Sequence, residues 1–145
     1  MISVAIDGPA GAGKSTIAKK IAENMGYIYV DTGALYRTVA LSLINNGISS
    51  DDVLAVEEHL QNINVDLCYI NGEQRVLLNG EDVSSKIRTP EVSMMASTSS
   101  ALPVVRAFLL DLQRKMAEEH DVVMDGRDIA TVVLPNATVK IFLTA

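Results

Sequence analysis

Apolar residues follow two patterns along this chain, and each pattern predicts a different element. Runs rich in apolar residues at 2–6, 27–31, 121–125 and 138–143 predict strands, and the first is typical of a strand buried on both faces, as in a parallel sheet. Elsewhere apolar residues recur every three or four positions, which is typical of amphipathic helices. Three such groups are Ile17, Ala18, Ile21, Ala22 and Met25; Leu35, Val39, Leu43 and Ile44; and Val105, Phe108, Leu109, Leu112 and Met116. The alternation of strand and helix predicts an α/β fold.

Polar residues predict where several helices begin and end. Asn46-Gly47 is expected to end the second helix, and Ser50 is expected to cap a third helix that extends to Leu60. Thr89-Pro90-Glu91 combines a cap, a first-turn proline and an early carboxylate. This combination predicts a helix over residues 90–100, and Leu102-Pro103 then separates it from a longer one.

The middle of the chain departs from the strand and helix alternation. Residues 63–70 and 74–78 are rich in β-formers, and Asn71-Gly72 between them is a favoured two-residue hairpin turn. A second such pair, Asn79-Gly80, follows eight residues later. The sequence therefore predicts a small antiparallel meander over residues 63–83, inserted in the α/β chain.

A glycine-rich loop lies between the first predicted strand and the first predicted helix. It reads Gly8-Pro9-Ala10-Gly11-Ala12-Gly13-Lys14-Ser15, the pattern of a phosphate-binding loop. Its glycines let backbone N–H groups surround phosphate oxygens, Lys14 reaches the β- and γ-phosphates, and the Ser15 hydroxyl is a ligand for Mg²⁺. ATPases, GTPases and small-molecule kinases share this loop, so the reaction depends on residues elsewhere.

Composition narrows the class of protein. A chain of 145 residues, 48% hydrophobic and 21% charged, has the size and balance of one globular domain. The net charge of −6 disfavours a polymeric nucleic-acid partner, which requires a basic face. Cys68 is the single cysteine, and no apolar stretch approaches the roughly 20 residues of a membrane span. These features predict a cytoplasmic protein without a membrane partner.

Five segments together resemble the bacterial cytidylate kinases. They are residues 8–15, the Asp31-to-Arg37 segment DTGALYR, the Gly80-to-Val83 segment GEDV, the Ile87-to-Val92 segment IRTPEV, and the Asp125-to-Asp128 segment DGRD. The resemblance spans nearly the whole chain. It implies a phosphate-loop NTP hydrolase-like parallel sheet with a nucleoside-monophosphate-binding insertion that carries the meander. It also implies transfer of the ATP γ-phosphate to CMP or dCMP, with Mg²⁺ as the metal.

The resemblance also implies which residues bind each substrate. ATP would be bound by the phosphate loop and the residue after it: Gly8, Pro9, Ala10, Gly11, Ala12, Gly13, Lys14, Ser15 and Thr16. CMP would be bound by Thr32, Tyr36, Arg37, Ser97, Arg106, Asp125, Arg127 and Asp128. Lys14, Arg37 and Arg127 would be catalytic, and Ser15 would ligate Mg²⁺.

Elementary chemistry supports this assignment. An acceptor phosphate repels the ATP tail by about 4 kcal/mol per pair of like charges at 4 Å and an effective dielectric near 20, so cations are required. Arg37 and Arg127 are suited to grip a phosphate through two hydrogen bonds. Cytosine presents a donor beside two acceptors, and Asp128 with Arg106 complements that edge. The resemblance adds Ser97 beside Asp128.

The ionised acceptor needs no catalytic base, so positioning and charge stabilisation are expected to suffice. His59 and His120 are therefore expected to be exposed residues at helix ends rather than bases or metal ligands. Met94 and Met95 are expected to be packing residues. Met94 and Ala130 depart from the family pattern, where a small polar residue and a glycine are usual.

The family continues beyond this sequence into an arginine-rich lid, a last core strand and a closing helix. We therefore expect a chain truncated before the lid, poorly active alone, and prone to self-association through an exposed edge strand, whereas the full enzyme is expected to be a monomer. Two alternatives stay open: a noncatalytic nucleotide-binding fragment, and a related kinase for another small acceptor such as UMP or shikimate. A GTPase is disfavoured because no Asn-Lys-x-Asp segment occurs.

The expected organisation is one kinase domain over residues 1–145. Its core comprises residues 1–33 and 121–145. The nucleoside-monophosphate-binding arm comprises residues 34–120, including the β insertion at 63–83.

Overall fold

A computed structural model of the protein describes residues 1–126 and 128–144. In chain order its elements are β1 (Ser3–Asp7), α1 (Lys14–Met25), β2 (Ile28–Tyr29), α2 (Thr32–Asn45), α3 (Val53–Leu60), β3 (Val65–Ile70), β4 (Glu73–Leu78), β5 (Glu81–Asp82), α4 (Pro90–Ser99), α5 (Pro103–Glu119), β6 (Val122–Gly126), a π-helical turn (Ile129–Val133) and β7 (Val139–Phe142). They form two compact units. We call residues 1–31, with the described residues from 113 onward, the core unit, and Thr32–Leu112 the inserted unit.

The core unit is built on a parallel sheet in the order β2-β6-β1-β7. Strand β1 is central, with Ser3 opposite Val122 on β6 and Val4 opposite Val139 on β7. All five residues of β1, including the polar Ser3 and Asp7 at its two ends, are buried, as expected for a strand covered on both faces. Since the strands are parallel, β1, β6 and β7 end at the same edge, where ligands of open α/β sheets bind.

Helix α1 packs against this sheet through two alanines. Ala18 and Ala22 are buried with Val4, Ile6 and Val123, and small side chains let the helix lie close to the strands. Ile17 and Met25, which share the helical spacing of these residues, are 39% and 59% exposed. Ile17 lies on another face of the helix, and Met25 is its last residue.

The inserted unit is organised around α2. Eight consecutive or near-consecutive residues of this helix are buried, because it packs against both α4 and β4. Leu35, Val39 and Leu43 are fully buried, as their helical spacing predicted. The helix ends at Asn45, directly before the expected Asn46-Gly47 stop.

The predicted meander is present in the inserted unit. Strands β3 and β4 are antiparallel, with Val65 opposite Leu78, and β5 pairs with β4. Both hairpin turns consist of an asparagine and a glycine with positive φ, 52° and 81° at Asn71-Gly72 and 52° and 84° at Asn79-Gly80. This is the type I′ geometry that Asn-Gly favours, so both turn predictions are confirmed.

Two helix starts test the capping predictions. Helix α4 begins at Pro90, and the Thr89 hydroxyl accepts a hydrogen bond from Val92 N at 3.3 Å, as predicted. Helix α3 begins at Val53, and its cap is Asp52, whose carboxylate accepts from Ala55 N at 3.2 Å. Ser50 was therefore the wrong cap. Either residue type is a good cap, and only the position at which the chain turns decides between them.

Among the described residues, no single helix is long and apolar enough to cross a membrane. One pair, α4 with α5, meets the criteria of length and composition when taken together, but it is bent by 99° at the break between the two helices.

Candidate functional site

The glycine-rich loop joins β1 to α1 at the carboxyl edge of the parallel sheet. Gly11 and Gly13 have φ near +80°, in the left-handed region, and Gly13 is the N-cap of α1. The first turn of α1 carries no acidic residue. Its amides and the positive end of the helix dipole are therefore suited to an anion, and the predicted placement of the loop between strand and helix is confirmed.

Only glycine fits at residue 8, the first residue of the loop, because the backbone of Leu143 passes close to it. The φ of Gly8 is +152°, and a Cβ placed there would lie 2.5 Å from the carbonyl oxygen of Leu143. The neighbouring Asp7 carbonyl accepts a hydrogen bond from Leu143 N at 2.8 Å. Leu143, the residue after β7, is thus hydrogen bonded to the residue that precedes the phosphate loop.

Lys14 lies across the loop. Its Nζ donates to the carbonyl oxygens of Gly8 at 2.7 Å and Pro9 at 3.0 Å. Ser15 and Thr16 follow at the exposed start of α1. The loop carbonyls thus hold the ammonium group over the loop where phosphates would bind, and phosphate contact by Lys14 stays a prediction.

A tyrosine and a carboxylate meet at the end of β6. The Tyr29 hydroxyl donates to Asp125 Oδ1 at 2.8 Å. Burial raises the pKa of Tyr29 well above its usual value, and the hydrogen bond to Asp125 and the charge of Asp31 raise that pKa further. The strand register places Asp125 opposite Ile6, two residues before the phosphate loop. Asp125 therefore lies at the phosphate-loop edge of the sheet.

Asp7, the last residue of β1, was not among the predicted site residues. Its side chain is buried, with 6% exposure, and accepts two backbone hydrogen bonds, from Ile129 N at 2.8 Å and from Ala130 N at 2.9 Å. Asp128, a predicted CMP-binding residue, is exposed and directly precedes these amides. Arg127, the other predicted residue here, lies outside the described residues.

The chain after Asp128 forms a π-helical turn, which sequence patterns did not reveal. Leu134 N donates to Ile129 O at 2.7 Å, the five-residue spacing of a π-helix. Arg114 on α5 binds the far end, with Nη2 2.8 Å from Val132 O and Nε 3.2 Å from Val133 O. Such turns are frequent at functional sites.

The inserted unit contains a pocket between α2 and α4. Its volume is about 430 Å³, within the range of small-molecule sites. Its lining residues are Gly33, Tyr36, Arg37, Ser93, Ala96, Ser97 and Ser100. Three predicted CMP-binding residues, Tyr36, Arg37 and Ser97, therefore meet at one pocket, although they are up to 61 residues apart in sequence. Its one charged side chain is a cation that suits an anionic ligand.

Two further predicted residues belong to the inserted unit and are not among those that line this pocket. Thr32 is half-buried as the first residue of α2, and Arg106 is exposed in the first turn of α5. Ala130, a departure from the family pattern, has no positive φ, so the alanine is accommodated without strain.

Two expectations about side chains near these helices need correction. His59 is half-buried, and its Nε2 is hydrogen bonded to the buried hydroxyl of Ser42 at 2.5 Å, so it links α3 to α2. His120 is half-buried as well. Met94 is 73% exposed and is not a packing residue. Helical spacing could not show this, because α4 buries only a narrow face with Val92 and Ser99.

Comparison with known proteins agrees with this arrangement. The sequence profile of the family described as "Cytidylate kinase" matches residues 4–145. The chain belongs to the cytidylate kinase family. It is 52% identical over 144 residues to the cytidylate kinase of Caldicellulosiruptor saccharolyticus and 53% identical over 144 residues to that of Caldicellulosiruptor bescii, covering 99% of this chain and 64% of each relative. It is 52% identical over its whole length to the cytidylate kinase of Lactobacillus johnsonii, 63% of which is covered.

Membership of the cytidylate kinase family confirms the resemblance on which the sequence interpretation rested. The parallel sheet flanked by helices and the small antiparallel sheet agree with the phosphate-loop kinase fold. The chain spans about 63–64% of the length of these three relatives.

Proposed function

We propose that this chain carries the nucleotide sites for phosphoryl transfer from ATP to CMP or dCMP, which yields ADP and CDP or dCDP. The observation that carries the proposal is the presence of a complete phosphate loop in the core unit together with an arginine-bearing pocket of nucleotide size in the inserted unit. Two anionic substrates require two such cationic sites.

The donor would bind at the phosphate loop. Residues 8–16 would surround the triphosphate, with Lys14 leaving the loop carbonyls to contact the β- and γ-phosphates. Mg²⁺ would be held by the Ser15 hydroxyl and mainly by the phosphates of ATP. Ser15 is exposed at the start of α1, where its hydroxyl can ligate a metal ion that is bound to ATP. The described residues contain no group of three His, Cys, Asp or Glu side chains that could hold a metal ion.

The acceptor would bind at the pocket between α2 and α4. Arg37 would hold its phosphate, and Tyr36 and Ser97 would contact the nucleoside. Thr32, Arg106, Asp125, Arg127 and Asp128 would complete the recognition of CMP, with Asp128 accepting from the cytosine amino group. No base is required, because the attacking phosphate oxygen is already ionised. Lys14, Arg37 and Arg127 would hold donor and acceptor in line and offset the developing charge.

Calorimetric titration of the purified chain tests the two sites separately. We expect Lys14→Ala to weaken ATP binding by roughly 10-fold or more and to leave CMP binding nearly unchanged, since a charged hydrogen bond contributes about 1.5–3 kcal/mol. Arg37→Ala should do the reverse. Arg88→Ala removes an exposed arginine of the inserted unit that does not line the pocket and serves as the control. Loss of both ligands in either variant would contradict two separate sites.

The acceptor base is tested with CMP, dCMP, UMP and AMP. Asp128→Ala should weaken CMP far more than UMP, because UMP has a carbonyl oxygen where CMP has an amino group. Equal losses would reject the role of Asp128. Tighter binding of UMP than CMP by the wild type would favour the related-kinase alternative.

A second candidate for the 145-residue chain, which spans 64% of a relative's length, is nucleotide binding without turnover. A coupled assay of ADP formation from ATP and CMP decides between the two. Turnover that is roughly 10³-fold or more below that of a relative, with unchanged CMP affinity, would identify a binding function, since arginines on the transferred phosphoryl group contribute about 10³–10⁵ in rate. A cytoplasmic location and a monomeric full-length protein stay predictions.

A further inference from the structure

A buried carboxylate connects the two chain segments that end at the phosphate edge of the core sheet. Asp7 ends β1, and the phosphate loop begins at the next residue, Gly8. Its two carboxylate oxygens accept one backbone hydrogen bond each, Oδ1 from Ile129 N and Oδ2 from Ala130 N. Asp7 is 94% buried, and both of its carboxylate oxygens bind the same segment of backbone. Burying a carboxylate costs free energy unless hydrogen bonds replace those that it makes with water, and here the amides of Ile129 and Ala130 provide them.

The segment that Asp7 holds is fixed at three further points. The Ile129 side chain is buried and packs on Gly126, where a Cβ would lie only 3.0 Å from Ile129 Cδ1. The Asp128 carbonyl accepts from Val132 N at 2.8 Å within the π-helical turn. Arg114 binds the carbonyls at the other end of that turn. The backbone at Asp128 is thus held through its own carbonyl group and through the next residue, Ile129, whereas the Asp128 side chain is exposed.

We infer that Asp7 is a positioning residue for acceptor recognition: by holding the Ile129 and Ala130 amides, it fixes the backbone from which the Asp128 carboxylate reaches the base. This inference rests on the proposed function, in which Asp128 recognises cytosine. Because Asp7 is also adjacent to Gly8, the segment that binds the donor and the segment that discriminates the acceptor share one rigid connection. Both carboxylate oxygens of Asp7 are engaged by these amides, so its proposed effect on the acceptor is exerted through Asp128.

Asp7→Asn is the direct test, because it preserves size and replaces one acceptor oxygen with an NH₂ group that faces a backbone N–H. We expect amide hydrogen exchange at Ile129 and Ala130 to accelerate by roughly 10-fold or more, and the ratio of CMP to UMP affinity to fall by roughly 5-fold, as one buried hydrogen bond is lost. The ratio is informative because partial unfolding lowers both affinities equally and leaves the ratio unchanged.

Ser3→Ala is the matched control. Ser3 lies on the same strand, is also buried, and its hydroxyl also accepts a backbone hydrogen bond, from Thr138 N at 3.2 Å, but at the opposite end of β1. We expect this variant to lose stability without a change in the affinity ratio. If Asp7→Asn does not fold, Gly126→Ala provides the same test, because the added methyl group would displace Ile129 and with it the turn.

Each outcome decides a separate claim. Unchanged exchange at Ile129 and Ala130 in Asp7→Asn would overturn the connection itself. Faster exchange with an unchanged affinity ratio would show a structural role only and overturn the positioning role. A wild-type chain that does not prefer CMP to UMP would overturn the assignment of Asp128 under the proposed function, and with it the positioning role, while the exchange measurement still decides whether Asp7 holds the turn.

Discussion

At the scale of single residues, the glycine at the start of the phosphate loop has a role distinct from that of the loop's other glycines. Gly11 and Gly13 need left-handed backbone angles, and the space beside each is open. Gly8 also needs the absence of a side chain, because the Leu143 carbonyl occupies the place where a Cβ would be. A substitution there affects both the loop and the adjacent strand end.

We predict that Gly8→Ala lowers the free energy of unfolding by about 2–4 kcal/mol, through backbone strain and the clash with Leu143. Gly11→Ala is the control, since it meets strain without a clash and should cost about 1–2 kcal/mol. Urea unfolding followed by circular dichroism measures both. If both variants lose the same free energy of unfolding, the close contact with Leu143 does not contribute to the cost of a side chain at residue 8.

The partly buried hydrogen bond between Tyr29 and Asp125 predicts a dependence of stability on alkaline pH. Because the pKa of Tyr29 is raised in the folded protein above its normal value of 10.0, the unfolded chain loses the phenol proton first. The stabilisation is therefore complete below pH 10 and decreases as the pH rises further. Urea unfolding at pH 8, 10 and 11 should show this decrease in the wild type and a smaller one in Tyr29→Phe. Tyr27→Phe should retain the wild-type dependence, and a Tyr29→Phe curve parallel to the wild type would refute the assignment.

At the scale of elements, the meander is stabilised by an ionic cluster on its own strands. Asp82 on β5 accepts from Ser84 Oγ at 2.7 Å, from Ser84 N at 3.0 Å and from Arg75 Nε at 2.8 Å. The hydrogen bonds from Ser84, followed by that from Arg75, lower the pKa of Asp82 from 3.8 to about 2. A carboxyl whose folded pKa is lowered stabilises the protein above its unfolded pKa, and this contribution is lost as the pH falls toward 2.

Thermal unfolding at pH 5, 3 and 2 checks this element. We expect the midpoint of the wild type to fall over this interval, and Asp82→Asn to start lower at pH 5 and to fall less. Glu73→Gln is a suitable control, because Glu73 contacts the same arginine at 3.4 Å but is largely exposed. If the unfolding midpoint of Asp82→Asn falls as steeply with pH as that of the wild type, the acid sensitivity belongs to other carboxylates.

Elements that depend on local chemistry were predictable, and those that depend on distant contacts were not. The two Asn-Gly turns and the Thr89-Pro90 helix start follow from residues adjacent in sequence, and they are where the sequence placed them. The cap of α3 was misplaced by two residues because Ser50 and Asp52 are both acceptable caps. The role of Asp7 depends on a partner 122 residues away, which no local pattern reveals.

The same reasoning applies to the candidate site. The phosphate loop could be identified from one continuous segment. Tyr36 and Arg37 came from a segment that the family shares, and Ser97 came only from the resemblance to the family. The π-helical turn and its contacts with Arg114 were missed because a π-turn has no sequence period of its own. His59 was misjudged because its partner, Ser42, lies on another helix.

At the scale of the whole molecule, one side of the core sheet is bounded by β7. Among the described strands β7 pairs only with β1, and Val139 and Phe142 are 42% and 71% exposed. An apolar edge strand offers unpaired backbone groups to another chain. We therefore predict that the 145-residue chain self-associates as its concentration rises.

Sedimentation or light scattering over a concentration series measures this association. Phe142→Glu should shift the chain toward the monomer, because a charged side chain on the edge opposes pairing. Met94→Glu is the matched control, since Met94 is equally exposed, at 73%, but lies on α4. A monodisperse monomer at every concentration, with Val139 to Phe142 protected from hydrogen exchange, would contradict the prediction.

The position of β1 in the sheet has a consequence for the order in which the molecule folds. Among the described strands, β1 pairs only with β6 and β7, which lie more than a hundred residues further along the chain, with Ser3 opposite Val122 and Val4 opposite Val139. The meander, by contrast, pairs neighbours across two-residue turns and is of the kind that forms within about 1–10 μs. Closing a loop of more than a hundred residues is slow. During synthesis the nucleotide loop therefore emerges from the ribosome more than a hundred residues before β6 and β7, the strands that support it.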